Sequence, residues 1–158
     1  MLYIQDQSGG YLPAPREKIL SEASRLSGYR LRRGSFIGSS VDAKAAIRHK
    51  LIKYECEVFA CLFLDSGHRV LAWEEMFRGS INCATVHPRE VVKEALRLNA
   101  AAVILAHNHP SGDNSPSPQD IDLTHKLKNI LQVIDVCVLD HLVVGEEVNA
   151  FSDLGLLN

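Results

Sequence analysis

Two histidines one residue apart open the segment HNHPSGDNSPSPQD, which runs from His107 to Asp120. At positions i and i+2 of a strand both imidazoles point to one face, so both can reach one metal ion. Zinc accepts imidazole nitrogen and carboxylate oxygen, and a catalytic zinc site keeps its fourth position for water. Asp120 follows in the first turn of a predicted helix, which a tight Pro/Gly loop could fold back onto the histidines. The segment therefore indicates a divalent metal site, Zn2+ by its donor chemistry, formed by His107, His109 and Asp120. The alternative is a structural loop whose histidines form caps or hydrogen bonds.

The elements around this segment are those that a metal site at a sheet edge requires. The apolar run AAVILA directly precedes it and predicts a buried strand, while Ser117 and Pro118 suit the N-cap and first position of a helix. Upstream, EVFACLFLD and RVLAWEEMF predict a hairpin, and REVVKEALRLNA predicts an amphipathic helix. DVCVLDHLVVG predicts one or two final strands. Strands and helices alternate without repeats, which favours a layered α/β domain.

The rest of the chain predicts less regular structure. Residues 1–13 are expected to form a loose arm, and PREKILSEASRLSG a helix that stops at Gly28. VDAKAAIRHKLIKY predicts a second helix, capped by Ser39. INCATV is a further strand or an extended link.

Composition and charge narrow the function classes. The 158 residues suit one domain, and a formal net charge of −2 argues against a broad, unspecific grip on nucleic acid. Arg30, Arg32 and Arg33 form either a solvated loop or a local basic contact surface. The four cysteines form no CxxC pair, so we expect four free thiols without a metal role. No signal peptide or apolar run of about 20 residues is visible, so we expect a cytoplasmic protein without a membrane partner.

The segment matches the His-x-His-x7-Ser-x2-Asp signature of the JAB/MPN (JAMM) metalloproteases, and the chain resembles their RadC-like branch more closely. The matching stretches are LFLD, EEMFRGSI, VHPREVVKEAL, NAAAVILAHNHPSGD and LDHLVVG, between Cys56 and Gly145. The resemblance implies an α/β/α sandwich similar to cytidine deaminases, with residues 56–158 as the domain and residues 1–55 as an arm and helical segment. It also implies a short form without the N-terminal helix-hairpin-helix-like domain. His107, His109 and Asp120 match the zinc ligands, and Ser117 matches the serine that stabilises the oxyanion.

The resemblance also calls for a glutamate upstream of the histidines as general base. Glu74 and Glu75 are the candidates, and in a regular strand they point to opposite faces, so only one can serve. Glu75 is favoured because it precedes MFRGS, which looks like the RadC-type E-L-F-x-G-T. The implied activity is zinc-dependent hydrolysis of a peptide, isopeptide or related amide bond, with Glu75 and Ser117 as catalytic residues and a protein or peptide as substrate.

Several alternatives remain open at this stage. A nucleobase deaminase of similar fold would need H-x-E with a later P-C-x-x-C, and the chain has neither. A catalytically silent MPN-like interaction module would usually have lost ligands that this chain keeps. A DNA-repair accessory role has only the three arginines in its favour. Asp140 and His141 in LDHLVVG either orient a metal ligand or form a structural polar pair.

Overall fold

The computed structural model describes residues 1–79 and 86–158. The elements in chain order are β1 (Tyr3–Gln5), β2 (Tyr11–Pro13), α1 (Arg16–Arg30), α2 (Ser40–Leu51), β3 (Val58–Leu64), β4 (Val70–Arg78), α3 (Pro88–Arg97), β5 (Ala102–Asn108), α4 (Pro118–Gln132), β6 (Cys137–Val144) and β7 (Val148–Ala150). Strands β4-β3-β5-β6-β7 form a five-stranded mixed sheet in that order. Among the strand pairs of the described residues, the β5–β6 pair alone is parallel, and α4 makes the crossover between these two strands.

Helices cover both faces of the sheet, which explains why β3 and β5 are buried along their whole length and apolar except at the His107–Asn108 end of β5. Alternate residues of these strands face two separate cores. One core packs Val58, Ala60 and Leu62 against α2, through Ile47 and Leu51. The other packs Phe59, Cys61 and Phe63 against α3 and α4, through Val91, Leu127 and Leu131. The predicted α/β class and its layered architecture are confirmed.

Most predicted elements are present, and two predictions near the N-terminus are wrong. Residues 1–13 form a small antiparallel hairpin instead of a loose arm, because the Asp6 carboxylate accepts the backbone N–H groups of Ser8 and Gly10 in its turn. Helix α1 continues through Gly28 to Arg30, whose guanidinium pairs with Asp42 in the first turn of α2. Most of the predicted INCATV strand, residues 81–85, lies outside the described residues.

Helix α2 is an integral part of the layered domain. Its Ile47 and Leu51 side chains are fully buried against the sheet, although the predicted domain division assigns them to the N-terminal segment 1–55. The division at residue 55 stays a prediction. Among the described residues, no helix combines the length and apolar character needed to cross a membrane.

Candidate metal centre

Four side chains meet where β3 begins, β5 ends and α4 begins. Each of Glu57, His107, His109 and Asp120 offers one ligand atom, and these atoms all lie within 4.8 Å of one another. Phe59 pairs with His107 in the antiparallel β3–β5 ladder, so Glu57, two residues before Phe59, lies on the same face of the sheet as the two histidines. The short loop after β5 then brings Asp120 of α4 to the same place. The predicted trio of two histidines and an aspartate is therefore assembled, together with a glutamate that the sequence analysis did not select.

The histidine nitrogens and the aspartate oxygens face one another at short range. His107 Nε2 lies 2.9 Å from His109 Nε2. The Asp120 oxygens lie 3.4 Å from His107 Nε2 and 3.5 Å from His109 Nε2. His109 Nδ1 donates to the Asp113 carbonyl oxygen at 2.8 Å, which leaves the lone pair of a neutral His109 on Nε2. Two imidazole nitrogens and a carboxylate are a donor set that fits zinc.

Electrostatics in this cluster favour a positive charge. Hydrogen bonding to Asp120 raises the pKa of His109 above its ordinary value. Burial pushes the pKa of Asp120 up, but its interactions with the His107 and His109 rings outweigh burial and hold that pKa below its usual range. A carboxylate that attracts a proton onto a neighbouring imidazole attracts a metal cation for the same reason.

Ser117 orients the aspartate from the N-terminus of α4. Its backbone N–H and its hydroxyl both donate to Asp120 Oδ2 at 2.7 Å, and its oxygen accepts the Asp120 backbone N–H at 3.2 Å. This capping box was predicted in part from Ser117 and Pro118, and it holds one carboxylate oxygen while the other faces His107. The predicted contribution of Ser117 to an oxyanion stays a prediction.

The loop that carries His109 is docked on the end of β6. The His109 N–H donates to the Val144 carbonyl oxygen, and the Glu146 N–H donates to the Gly112 carbonyl oxygen, each at 2.8 Å. A Cβ on Gly145 would lie 2.2 Å from the Gly112 oxygen, so only glycine permits this approach. Gly112 itself has a φ of +89°, a conformation that glycine adopts without strain.

Asn108, between the two histidines, positions the backbone around Glu57. Its side-chain oxygen accepts the Val58 N–H at 2.7 Å, and its side-chain nitrogen donates to the Cys56 carbonyl oxygen at 3.0 Å. Asn108 therefore fixes the backbone directly before and directly after Glu57. Neither Glu57 nor Asn108 was expected at the site from the sequence, although a carboxylate directly before the buried run VFACLFL was a usable signal.

The structure does not bring Glu75 into the metal group. Glu75 pairs with Ala60, whose side chain belongs to the α2 core, whereas His107 pairs with Phe59 on the other face. The Glu75 carboxylate accepts the Tyr54 hydroxyl at 2.7 and 2.8 Å and an Arg78 N–H at 2.9 Å. Burial raises the pKa of Glu75, but these hydrogen bonds outweigh it and leave that pKa below its ordinary value. A carboxylate held in this way is a poor proton acceptor. Glu75 therefore does not lie beside the histidines as predicted, and the glutamate that does lie there is Glu57.

Glu74 does not join the group either. It pairs with Cys61 across the β3–β4 hairpin, and its carboxylate lies 3.8 Å from the Arg97 guanidinium. Of the four cysteines, Cys56, Cys61 and Cys137 are free thiols, and none of these belongs to the metal group. Cys83 lies outside the described residues.

The layered fold and the histidine–carboxylate cluster define an α/β domain with a candidate metal centre. The family model for RadC-like JAB domains matches residues 37–156, and the chain belongs to that family. A UPF0758 protein of Vibrio cholerae is 46% identical over 144 residues, which cover 91% of this chain and 91% of that protein. UPF0758 proteins of Thioalkalivibrio sulfidiphilus and Nitrosococcus oceani are 49% and 52% identical, and the matches span 65% and 57% of their lengths. None of these names states an activity.

Proposed function

We propose that this chain is a zinc-dependent hydrolase of the JAMM type that cleaves a peptide, isopeptide or related amide bond. The observation that carries the proposal is the meeting of Glu57 with His107, His109 and Asp120 at one edge of the sheet. Two imidazoles and an aspartate supply three protein ligands, which is the number found in catalytic zinc sites. The fourth side chain, Glu57, directly precedes β3 and is not one of these three ligands, so it can act on the attacking water.

The chain's own residues supply the proton transfers and the positioning. A zinc ion bound by His107, His109 and Asp120 would lower the pKa of a coordinated water toward ~7 and polarise the substrate carbonyl. Glu57 takes the proton of the attacking water and later delivers it to the leaving nitrogen. Ser117 keeps Asp120 in place through its backbone N–H, and its single hydroxyl proton would turn from Asp120 Oδ2 to the charge that develops on the carbonyl oxygen. Glu57 therefore replaces Glu75 as the proposed base.

A matched pair of glutamine variants tests this assignment. Wild type, Glu57→Gln and Glu75→Gln, each loaded with zinc, are incubated with an unbiased peptide library that includes isopeptide-linked substrates, and products are read by mass spectrometry. We expect Glu57→Gln to lose ~10²–10⁴ in cleavage rate, the usual contribution of a positioned base, while Glu75→Gln stays close to wild type. If the cleavage rate fell in Glu75→Gln alone, Glu75 and not Glu57 would be the general base. Wild type that carries zinc but cleaves no library member would overturn the hydrolase proposal in favour of a silent interaction module.

A further inference from the structure

We propose that the buried His141 is a positioning residue that, together with Thr124, sets the tautomer and orientation of the metal ligand His107. The inference rests on the metal centre proposed above and concerns two side chains that the hydrolysis scheme does not use. His141 lies on β6 and Thr124 on α4, and both are fully buried. They form a continuous chain of hydrogen bonds behind His107, on the side away from His109.

Three short contacts make up this chain. His107 Nδ1 lies 2.8 Å from His141 Nε2, and His141 Nδ1 lies 2.5 Å from Thr124 Oγ1. Thr124 Oγ1 in turn lies 2.6 Å from the Asp120 carbonyl oxygen. The chain therefore starts at the backbone of one proposed metal ligand and ends on the ring of another.

The chemistry of the carbonyl decides the direction of every hydrogen bond. A carbonyl oxygen only accepts, so the single proton of the Thr124 hydroxyl points to Asp120. The Thr124 oxygen must then accept from Nδ1–H of His141, which leaves the lone pair of neutral His141 on Nε2. That lone pair accepts Nδ1–H of His107, so the free lone pair of His107 is on Nε2.

The result matches what metal binding requires. His109 has the same tautomer, because its Nδ1–H donates to the Asp113 carbonyl oxygen. Two Nε2 lone pairs then face each other across 2.9 Å, an arrangement that a shared cation stabilises. A metal-bound imidazole whose other nitrogen donates to a fixed acceptor is held in one tautomer and one orientation, and loss of such a partner typically costs 10–100-fold in metal affinity.

The acceptor is itself held rigidly. The His141 ring stacks on Phe151 with centroids 4.6 Å apart and meets the edge of Phe59 at 5.7 Å. The His141 backbone N–H donates to Asp140 Oδ1, and Asp140 Oδ2 accepts the Ser152 hydroxyl. Asp140 therefore fixes the backbone here, while its neighbour His141 reaches the metal ligand.

Zinc affinity of the 158-residue chain, measured by competition with a chromophoric chelator, tests the proposal. His141→Phe keeps an aromatic ring but removes the acceptor, and we expect zinc to bind ~10–100-fold more weakly. Thr124→Val keeps the shape of the side chain without the hydroxyl, and its zinc affinity should fall several-fold. Thr124→Ser keeps the hydroxyl and should bind zinc with wild-type affinity. His125→Phe is the matched control, because His125 contacts the Leu156 carbonyl oxygen outside the chain of bonds. Circular dichroism checks that each variant is folded, and the Thr124 pair keeps the test decisive if His141→Phe does not fold.

A second readout needs neither zinc nor activity. Long-range ¹H–¹⁵N NMR of the histidine-labelled chain should show His141 as the Nδ1–H tautomer in wild type. Zinc affinities of His141→Phe and Thr124→Val within twofold of wild type, or an Nε2–H tautomer at His141, would overturn the positioning role. Wild type that binds no zinc would instead refute the metal centre, so the two failures are distinguishable.

Discussion

Replacing Gly145 by alanine tests whether the docked histidine loop is needed for the metal centre. The new Cβ would lie 2.2 Å from the Gly112 carbonyl oxygen and 2.9 Å from the Asn114 nitrogen, both of them backbone atoms. Relief of the first contact requires a shift of roughly 0.8 Å, and such overpacking typically costs ~1–3 kcal/mol. The same shift would break the bond from the Glu146 N–H to Gly112, worth ~1 kcal/mol.

The combined loss of about 2–4 kcal/mol corresponds to a fall in Tm of roughly 5–15 °C for a domain of this size. Zinc affinity should fall by roughly tenfold as well, because His109 belongs to the displaced loop. Calorimetry of the metal-free chain and chelator competition measure the two effects. Gly67→Ala is the control, since its Cβ would only meet Asp65 Oδ1 at 3.4 Å, and it should change stability by less than ~0.5 kcal/mol. If Gly145→Ala melted and bound zinc like wild type, the docking argument would be refuted.

Three further outcomes are expected. Glu75→Gln should make the free energy of unfolding less dependent on pH on the acid side. Hydrogen bonds hold the folded pKa of Glu75 below its unfolded value of ~4.3. The stabilisation from this carboxylate is therefore present above pH ~4.3 and is lost as the pH falls through the folded pKa. Parallel Tm–pH curves for wild type and variant from pH ~6 to ~3 would contradict this. Elemental analysis should find about one zinc per chain in wild type and only traces in the double variant His107→Ala, His109→Ala, and equal content in both would refute the site. Thiol titration under denaturing, non-reducing conditions should count all four cysteines, and a lower count would reveal a disulfide.

The local motif was readable from the sequence because its determinants are local. His107 and His109 share a face through strand alternation, and Ser117 and Pro118 begin α4 through capping chemistry, so both follow from spacing alone. Asp120 is placed by that same first helical turn. The buried character of β5 and its position before the loop were equally visible, since an apolar run needs no distant partner to be recognised.

The rest of the site depends on contacts between distant segments, which only the tertiary structure decides. Glu57 reaches His107, 50 positions later in the chain, because β3 and β5 pair antiparallel in one particular register. The β3–β4 register, with an irregularity at Phe59/Ala60, turns Glu75 to the opposite face of the sheet, and strand alternation alone could not choose between Glu74 and Glu75. His141 meets His107 through the parallel β5–β6 pair. A one-residue shift in any of these ladders would move the side chain to the other face, so the identity of the base and of the histidine behind the metal ligand is a property of strand register.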